Sequence, residues 1–308
     1  MNSNLETSEG VELDHEKDNF AHIIEQNALR IQRQWVTDIY PYVVGLALCY
    51  ALFVFYGARI YGALYRTTRP ELKISLALWN TGLAIFSTVM CIVTGRHAVE
   101  RLFNLGPYGS LCHEGNMFTG VNGRWLWYFT LSKVVELGDT VFLVARKRPV
   151  SFLHWYHHAT VLLFCFYQYQ HPTAPSQWGV AVNATVHSVM YTYFALKAFG
   201  FKLPTAASIA VTLLQISQFV IGIFCCVVCF NAVVLKQWTS IFTTEKDLST
   251  KEVDTKLDCD ITPEVACFQL FIYTTYFCLF VHYFYITYCA KHVTGHFCNT
   301  KMTKQKKK

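Results

Sequence analysis

The sequence predicts an all-α, multi-pass membrane protein with seven transmembrane helices, on three observations. Hydrophobic residues make up 53% of the 308 residues. Charged residues make up 15%, against about 25% in a typical soluble domain. The charges are also segregated into tails and short connections, leaving apolar runs that can cross a bilayer, for which about 20 residues suffice.

Seven runs qualify, over 41–60, 74–94, 125–145, 151–170, 178–198, 205–235 and 264–290. The third, fourth and fifth are the least apolar. With no fixed-period repeat, the chain reads as one domain with two appendages. A seven-helix membrane body over 41–290 is flanked by an acidic segment over 1–40 and a basic tail over 291–308. The first forty residues hold eight Asp/Glu against Lys17, Arg30 and Arg33. They lack the apolar stretch of a signal peptide. The tail holds six lysines. A basic tail on an apolar body suits membrane lipid and not nucleic acid.

Charge asymmetry orients the spans. Arg66, Arg69 and Lys73 follow span one, Arg146, Lys147 and Arg148 follow span three, and Lys202 follows span five, with Lys197 at its edge. With the lysine tail, all four clusters share one side if there are seven spans. That side is expected to be the cytosol, with the acidic N-terminus in the lumen. Lys304 and Lys306, fifth and third from the end of the tail, resemble the dilysine retrieval signal of endoplasmic reticulum proteins. Cys112 and Cys259 fall in two loops expected in the lumen, an oxidising compartment. They are expected to form a disulfide that ties span three to span seven. The Cys226–Cys229 pair lies in an apolar run with no zinc partners at ligand spacing.

Polar residues inside the apolar runs carry the functional signal. Span three contains Lys133, Glu136 and Asp139, at a cost of about 2.5–3.5 kcal/mol for each unpaired charge near a helix centre. Their spacing puts them along one slanted ridge. Span four opens with His154, His157 and His158 on one helical face. Such a stripe can bind metal, shuttle protons or act as a nucleophile. Span five carries Asn183, His187 and Tyr191 on one stripe, and span six carries Gln215 and Gln218. The two glutamines suit helix–helix contact as well as ligand binding. Counted from the expected cytosolic boundaries, Asp139 and His157 lie about 10 Å deep and His187 and Gln215 about 15 Å. Four spans thus place polar groups in one layer, with apolar and aromatic spans beyond it. This arrangement suits an amphiphile with a polar head and a long apolar tail.

These residues resemble the boxes of the fatty-acid elongase family. Lys133-Val-Val-Glu136-Leu-Gly-Asp139-Thr140 resembles its KxxELxDT box, and His154-Trp-Tyr-His157-His158 its HxxHH box. Asn183-Ala-Thr-Val-His187-Ser-Val-Met190-Tyr191-Thr-Tyr193-Phe194 resembles NxxxHxxMYxYY, departing from it at Phe194. Thr212-Leu-Leu-Gln215-Ile-Ser-Gln218 resembles TxxQxxQ. The four boxes occur in the family's order on four successive spans. Trp155 makes the second box similar to that of members acting on saturated and mono-unsaturated chains.

The resemblance implies six helices around a substrate tunnel. It also implies a condensation of long-chain acyl-CoA with malonyl-CoA to 3-oxoacyl-CoA, CoA and carbon dioxide, with no bound cofactor and no metal. His157 is then the expected nucleophile, forming an acyl-imidazole assisted by His187. Glu136, Asp139, His154 and His158 would orient the rings and move protons. Lys133, Arg146 and Lys147 would attract CoA phosphates. Asn183, Tyr191, Gln215 and Gln218 complete the expected substrate-binding set. Expected partners are membrane lipid, a second copy of the chain, and the ketoacyl reductase, dehydratase and enoyl reductase that would finish the cycle.

Two other readings remain open on the sequence. Di-iron membrane desaturases and hydroxylases also carry HxxHH, but they draw further histidines from several boxes. Here only His187 joins the single box. A seven-span receptor would share the orientation, but would not call for three histidines at the cytosolic start of span four.

Overall fold

The computed structural model describes residues 3–64, 71–171, 173–242 and 259–290. They form eight α-helices and no strand: α1 Ser3–Leu64, α2 Glu71–Cys112, α3 Gly120–Glu136, α4 Gly138–Ala145, α5 Phe152–Gln170, α6 Ser176–Phe199, α7 Thr205–Phe242 and α8 Pro263–Phe284. A π-helical turn, Tyr285–Cys289, extends α8. The basic tail, with Lys304 and Lys306, lies outside the described residues, as does most of the loop expected over 236–263.

Each expected span falls on helix, but three boundaries differ from the sequence reading. The first span is the later part of a 62-residue helix, about 93 Å long at 1.5 Å per residue. The second continues past residue 94 as far as a kink at Gly106, where the backbone leaves the helical conformation (φ 72), and a short helical stretch from Pro107 ends at Cys112. Glycine accepts the left-handed turn, and proline suits a first helical position. The third is broken at Leu137 into α3 and α4.

Local chemistry sets the other ends. The Ser151 side chain accepts from the His154 N–H and caps α5. Thr262 does the same for Val265 at the start of α8, with Pro263 in the first turn. Gly200, at φ 99, closes α6.

The packing partners run α5–α3–α2–α6–α7–α8 and back to α5, while α1 lies outside this circuit against α5 and α4. Inside it, Met90, Phe129, Phe164, Val180, Phe219, Ile272 and Tyr276 form the main apolar cluster. Outside, Leu48, Leu52, Ile85, Ile92, Phe224 and Phe271 are exposed. So much outward apolar surface identifies an integral membrane protein. Four stretches are long and apolar enough to cross a bilayer: Ile23–Gly57, Leu72–Cys112, Thr205–Val233 and Pro263–Cys289. The intervening helices carry the box residues, which lower their hydropathy.

One end of the bundle is covalently closed. Cys112, the last residue of α2, is disulfide-bonded to Cys259, just before α8. The Asp260 N–H donates to the Cys112 carbonyl at 2.7 Å. The Asp260 carboxylate in turn accepts from the Glu114 N–H at 2.7 Å.

Candidate active site

The buried polar layer is built from two networks that meet at the helix break. In the first, Lys133 Nζ donates to Glu136 Oε1 at 2.7 Å and to Asn183 Oδ1 at 3.3 Å. Its ammonium also lies 4.3 Å from the centre of the Phe129 ring, a favourable position for a cation. Ser132 Oγ donates to the same carboxylate oxygen at 3.1 Å. His187 Nδ1 stands 3.9 Å from it. The charges are thus paired and solvated by protein dipoles, the condition for tolerating them in lipid.

In the second network, Asp139 accepts from Trp79 Nε1 at 2.7 Å and from the Tyr191 hydroxyl at 2.9 Å. Among the described residues Asp139 has no hydrogen bond to a histidine. Thr140 takes that role. Its hydroxyl is 2.8 Å from the Tyr50 hydroxyl and 2.9 Å from His154 Nε2.

The break at Leu137 explains the division. An unbroken helix would place Lys133, Glu136 and Asp139 along one ridge. Instead the Leu137 N–H turns to the Val134 carbonyl, and Gly138 begins a new helix against the Trp79 indole. A Cβ at Gly138 would lie 2.6 Å from Trp79 Cζ2, so glycine is required for this approach. Glu136 therefore joins Asn183 and His187, while Asp139 joins Trp79 and Tyr191.

The three histidines of α5 lie beside these networks. The His154 and His158 ring centres are 4.3 Å apart, and those of His157 and His158 are 5.6 Å apart. His157 also packs on Tyr276 at 4.8 Å. His157 lies within electrostatic range of His187, Lys133 and Glu136, and His158 of His187 and Lys133. Two buried polar atoms, Glu136 Oε2 and His158 Nδ1, have no hydrogen-bond partner among the described residues. They retain capacity to bind a substrate's polar groups.

Among the described residues, Gln215 and Gln218 have no hydrogen bond to either network. Gln215 Nε2 donates to Met190 Sδ at 3.1 Å, linking α7 to α6. Gln218 lines a cavity among α5–α8 with Gln168, Cys225, Gln269 and Tyr273. Arg146 and Lys147 stand in the connection from α4 to α5, with Lys147 exposed and at φ 55. Cys165 is buried in the main apolar cluster. The one convergence of three metal-type donor atoms among the described residues is Cys112, Cys229 and Cys259, and two of those sulfurs are bonded to each other. The box histidines do not converge in that way.

Trp79, Tyr50, Thr160 and Tyr276 were not legible as site residues, because an aromatic or hydroxyl side chain in an apolar run has many ordinary uses. Thr140 had a signal, since it ends the KxxELxDT box.

Paired charges and clustered imidazoles held inside a membrane-embedded helical body define, as a class, a membrane protein with a buried polar functional site. The particular family follows from comparison. The model of the ELO: GNS1/SUR4 family matches residues 35–296, and the chain belongs to that family. It is 34% identical over 259 residues to Very long chain fatty acid elongase 6 of Drosophila melanogaster, covering 84% of this chain and 75% of that protein. It is 33% identical over 258 residues to the Homo sapiens protein of the same name, covering 84% and 88%. It is 33% identical over 262 residues to Long chain fatty acid elongase 1 of Caenorhabditis elegans, covering 84% and 82%. No solved structure matches the chain.

Proposed function

We propose that the chain is the condensing enzyme of fatty-acid elongation and works through an acyl-imidazole. Long-chain acyl-CoA and malonyl-CoA are the substrates, and 3-oxoacyl-CoA, CoA and carbon dioxide the products. The observation that carries the mechanism is the set of four imidazoles beside a buried Lys133–Glu136 pair, inside a closed circuit of six helical segments. That circuit supports a seven-span body in which six helices surround a tunnel and α1 stands outside.

In the first half-reaction a His157 ring nitrogen attacks the thioester carbonyl, and the carbon–sulfur bond breaks to release CoA. In the second, malonyl-CoA loses carbon dioxide, and its α-carbon takes the acyl group while the carbon–nitrogen bond breaks. His187, anchored near Glu136, assists this transfer. His154 and His158 complete the proton-moving set. Asn183, Tyr191 and Asp139 hold the framework, and Arg146 and Lys147 suit CoA phosphates at the mouth. The chemistry requires no bound cofactor.

The charge pattern supports a cytosolic C-terminus, a luminal N-terminus and an endoplasmic reticulum location, with Lys304 and Lys306 as retrieval residues. The domain division is an acidic luminal segment over 1–40, the catalytic body over 41–290 and the basic cytosolic tail. The product's 3-oxo group calls for a ketoacyl reductase, a dehydratase and an enoyl reductase as functional partners.

The test omits malonyl-CoA. Purified enzyme mixed with long-chain acyl-CoA should release one equivalent of CoA and carry an acyl adduct on His157 by peptide mass. His157→Ala should give neither while keeping its elution volume. Strict dependence of CoA release on malonyl-CoA would refute the covalent mechanism.

A further inference from the structure

His157 differs from its neighbour His154 in how its ring is held. His154 has a hydrogen bond to Thr140. Among the described residues, His157 has ring contacts and no hydrogen bond to its imidazole. The helix fixes its Cα, but rotation of the ring about its side-chain bonds must be set by packing.

Tyr276 of α8 supplies the nearest aromatic surface outside α5. Its ring centre is 4.8 Å from that of His157, at an interplanar angle of 58°. Phe280, one turn on, lies 6.2 Å away. Tyr276 is 2% exposed, and its own ring is tethered. Its hydroxyl is 2.8 Å from Thr160 Oγ1. Thr160 donates to the Tyr156 carbonyl at 2.6 Å, with a longer contact of 3.5 Å to the His157 carbonyl. A hydroxyl has one proton, so the phenol is the donor to Thr160. Phe219 of α7 packs on the ring at 5.5 Å. Tyr276 is thus anchored to the same turn of α5 that carries the imidazole it touches.

We propose that Tyr276, tethered by Thr160, is a positioning residue that holds the His157 ring in the orientation required for acyl transfer. The inference rests on the acyl-imidazole reading. Tyr276 need not touch substrate; it acts through the imidazole.

The experiment is the same single turnover with acyl-CoA alone, on full-length protein in detergent. Tyr276→Phe and Thr160→Ala each remove the tether and keep the plate. Each should slow CoA release about tenfold per folded molecule, with KM for acyl-CoA changed less than about twofold, because misorientation raises the barrier without removing binding surface. The double variant should be no slower than the slower single one, since both act on one link. Tyr276→Leu removes the plate and should slow release about a hundredfold.

Wild-type rates per folded molecule in Tyr276→Phe and Thr160→Ala would overturn the inference, even if both melt earlier. So would additive slowing in the double variant. If wild-type enzyme forms no acyl adduct, the covalent mechanism fails and this role fails with it. An adduct that forms in the wild type and equally fast in both variants removes the positioning role alone.

Discussion

Lys133 Nζ and Glu136 Oε1 lie 2.7 Å apart with side chains only 1% and 5% exposed. Neither charge could be held there alone. Breaking a buried pair by removing one partner costs about 3–5 kcal/mol, whereas replacing both with apolar residues is often neutral. Lys133→Met should therefore lower the unfolding midpoint strongly. Lys133→Met with Glu136→Leu should recover much of that stability while activity stays lost. Thermal unfolding in detergent reads this directly, and equal midpoints for single and double variants would exclude coupling of the pair.

Gly138 is expected to tolerate no side chain. Its Cβ position lies against the Trp79 ring, and overpacking costs about 1–3 kcal/mol. Gly138→Ala should lower the midpoint and reduce condensation, because displaced Trp79 no longer donates to Asp139. Combining it with Trp79→Leu should cost less than the sum of the two. An unaltered midpoint in Gly138→Ala would show that the indole moves aside freely.

Thr140→Val keeps the shape but cuts the hydroxyl link between Tyr50 and His154. A single well-placed proton-transfer or orienting group contributes about a hundredfold or more. The expected outcome is a kcat lower by about ten- to a hundredfold at unchanged elution volume. Tyr50→Phe, which leaves the Thr140–His154 bond in place, should cost less. Wild-type turnover in Thr140→Val would remove this link from the working site.

The Cys112–Cys259 disulfide closes 147 residues of sequence separation. Crosslinks of that kind stabilise by about 2–4 kcal/mol. Cys112→Ser with Cys259→Ser should lower the midpoint accordingly, and dithiothreitol should lower that of the wild type but not of the double variant. Cys229→Ser, which leaves the bond intact, serves as the control. A wild-type midpoint insensitive to reductant would contradict the stabilising role.

Much of the site was legible because ionisable groups are costly in lipid. Lys133, Glu136, His154, His157, His158 and His187 stand out from apolar surroundings for that reason, and the box order named their family. Their pairing was less legible. Asp139 reads as the third member of a ridge with Lys133 and Glu136. The break at Leu137 sends it to Trp79, sixty residues earlier, and no local pattern encodes that contact. The extension of α2 past residue 94 was hidden because Arg96, His97, Glu100 and Arg101 end the apolar run while the helix continues through them. Tyr276 and Thr160 were invisible because their meaning lies in a contact between α5 and α8.

The first helix contains none of the family boxes, yet Tyr50 reaches Thr140, Gln32 accepts from the Tyr169 hydroxyl at 2.9 Å, and Val36, Val43 and Ala47 pack with Leu162 and Phe166. A shortened product starting at residue 71 would retain every diagnostic motif and still have one flank of its histidine helix bare to lipid. Motif scanning would score such a product as intact, whereas co-expressing residues 1–64 as a separate peptide should restore the activity it lacks.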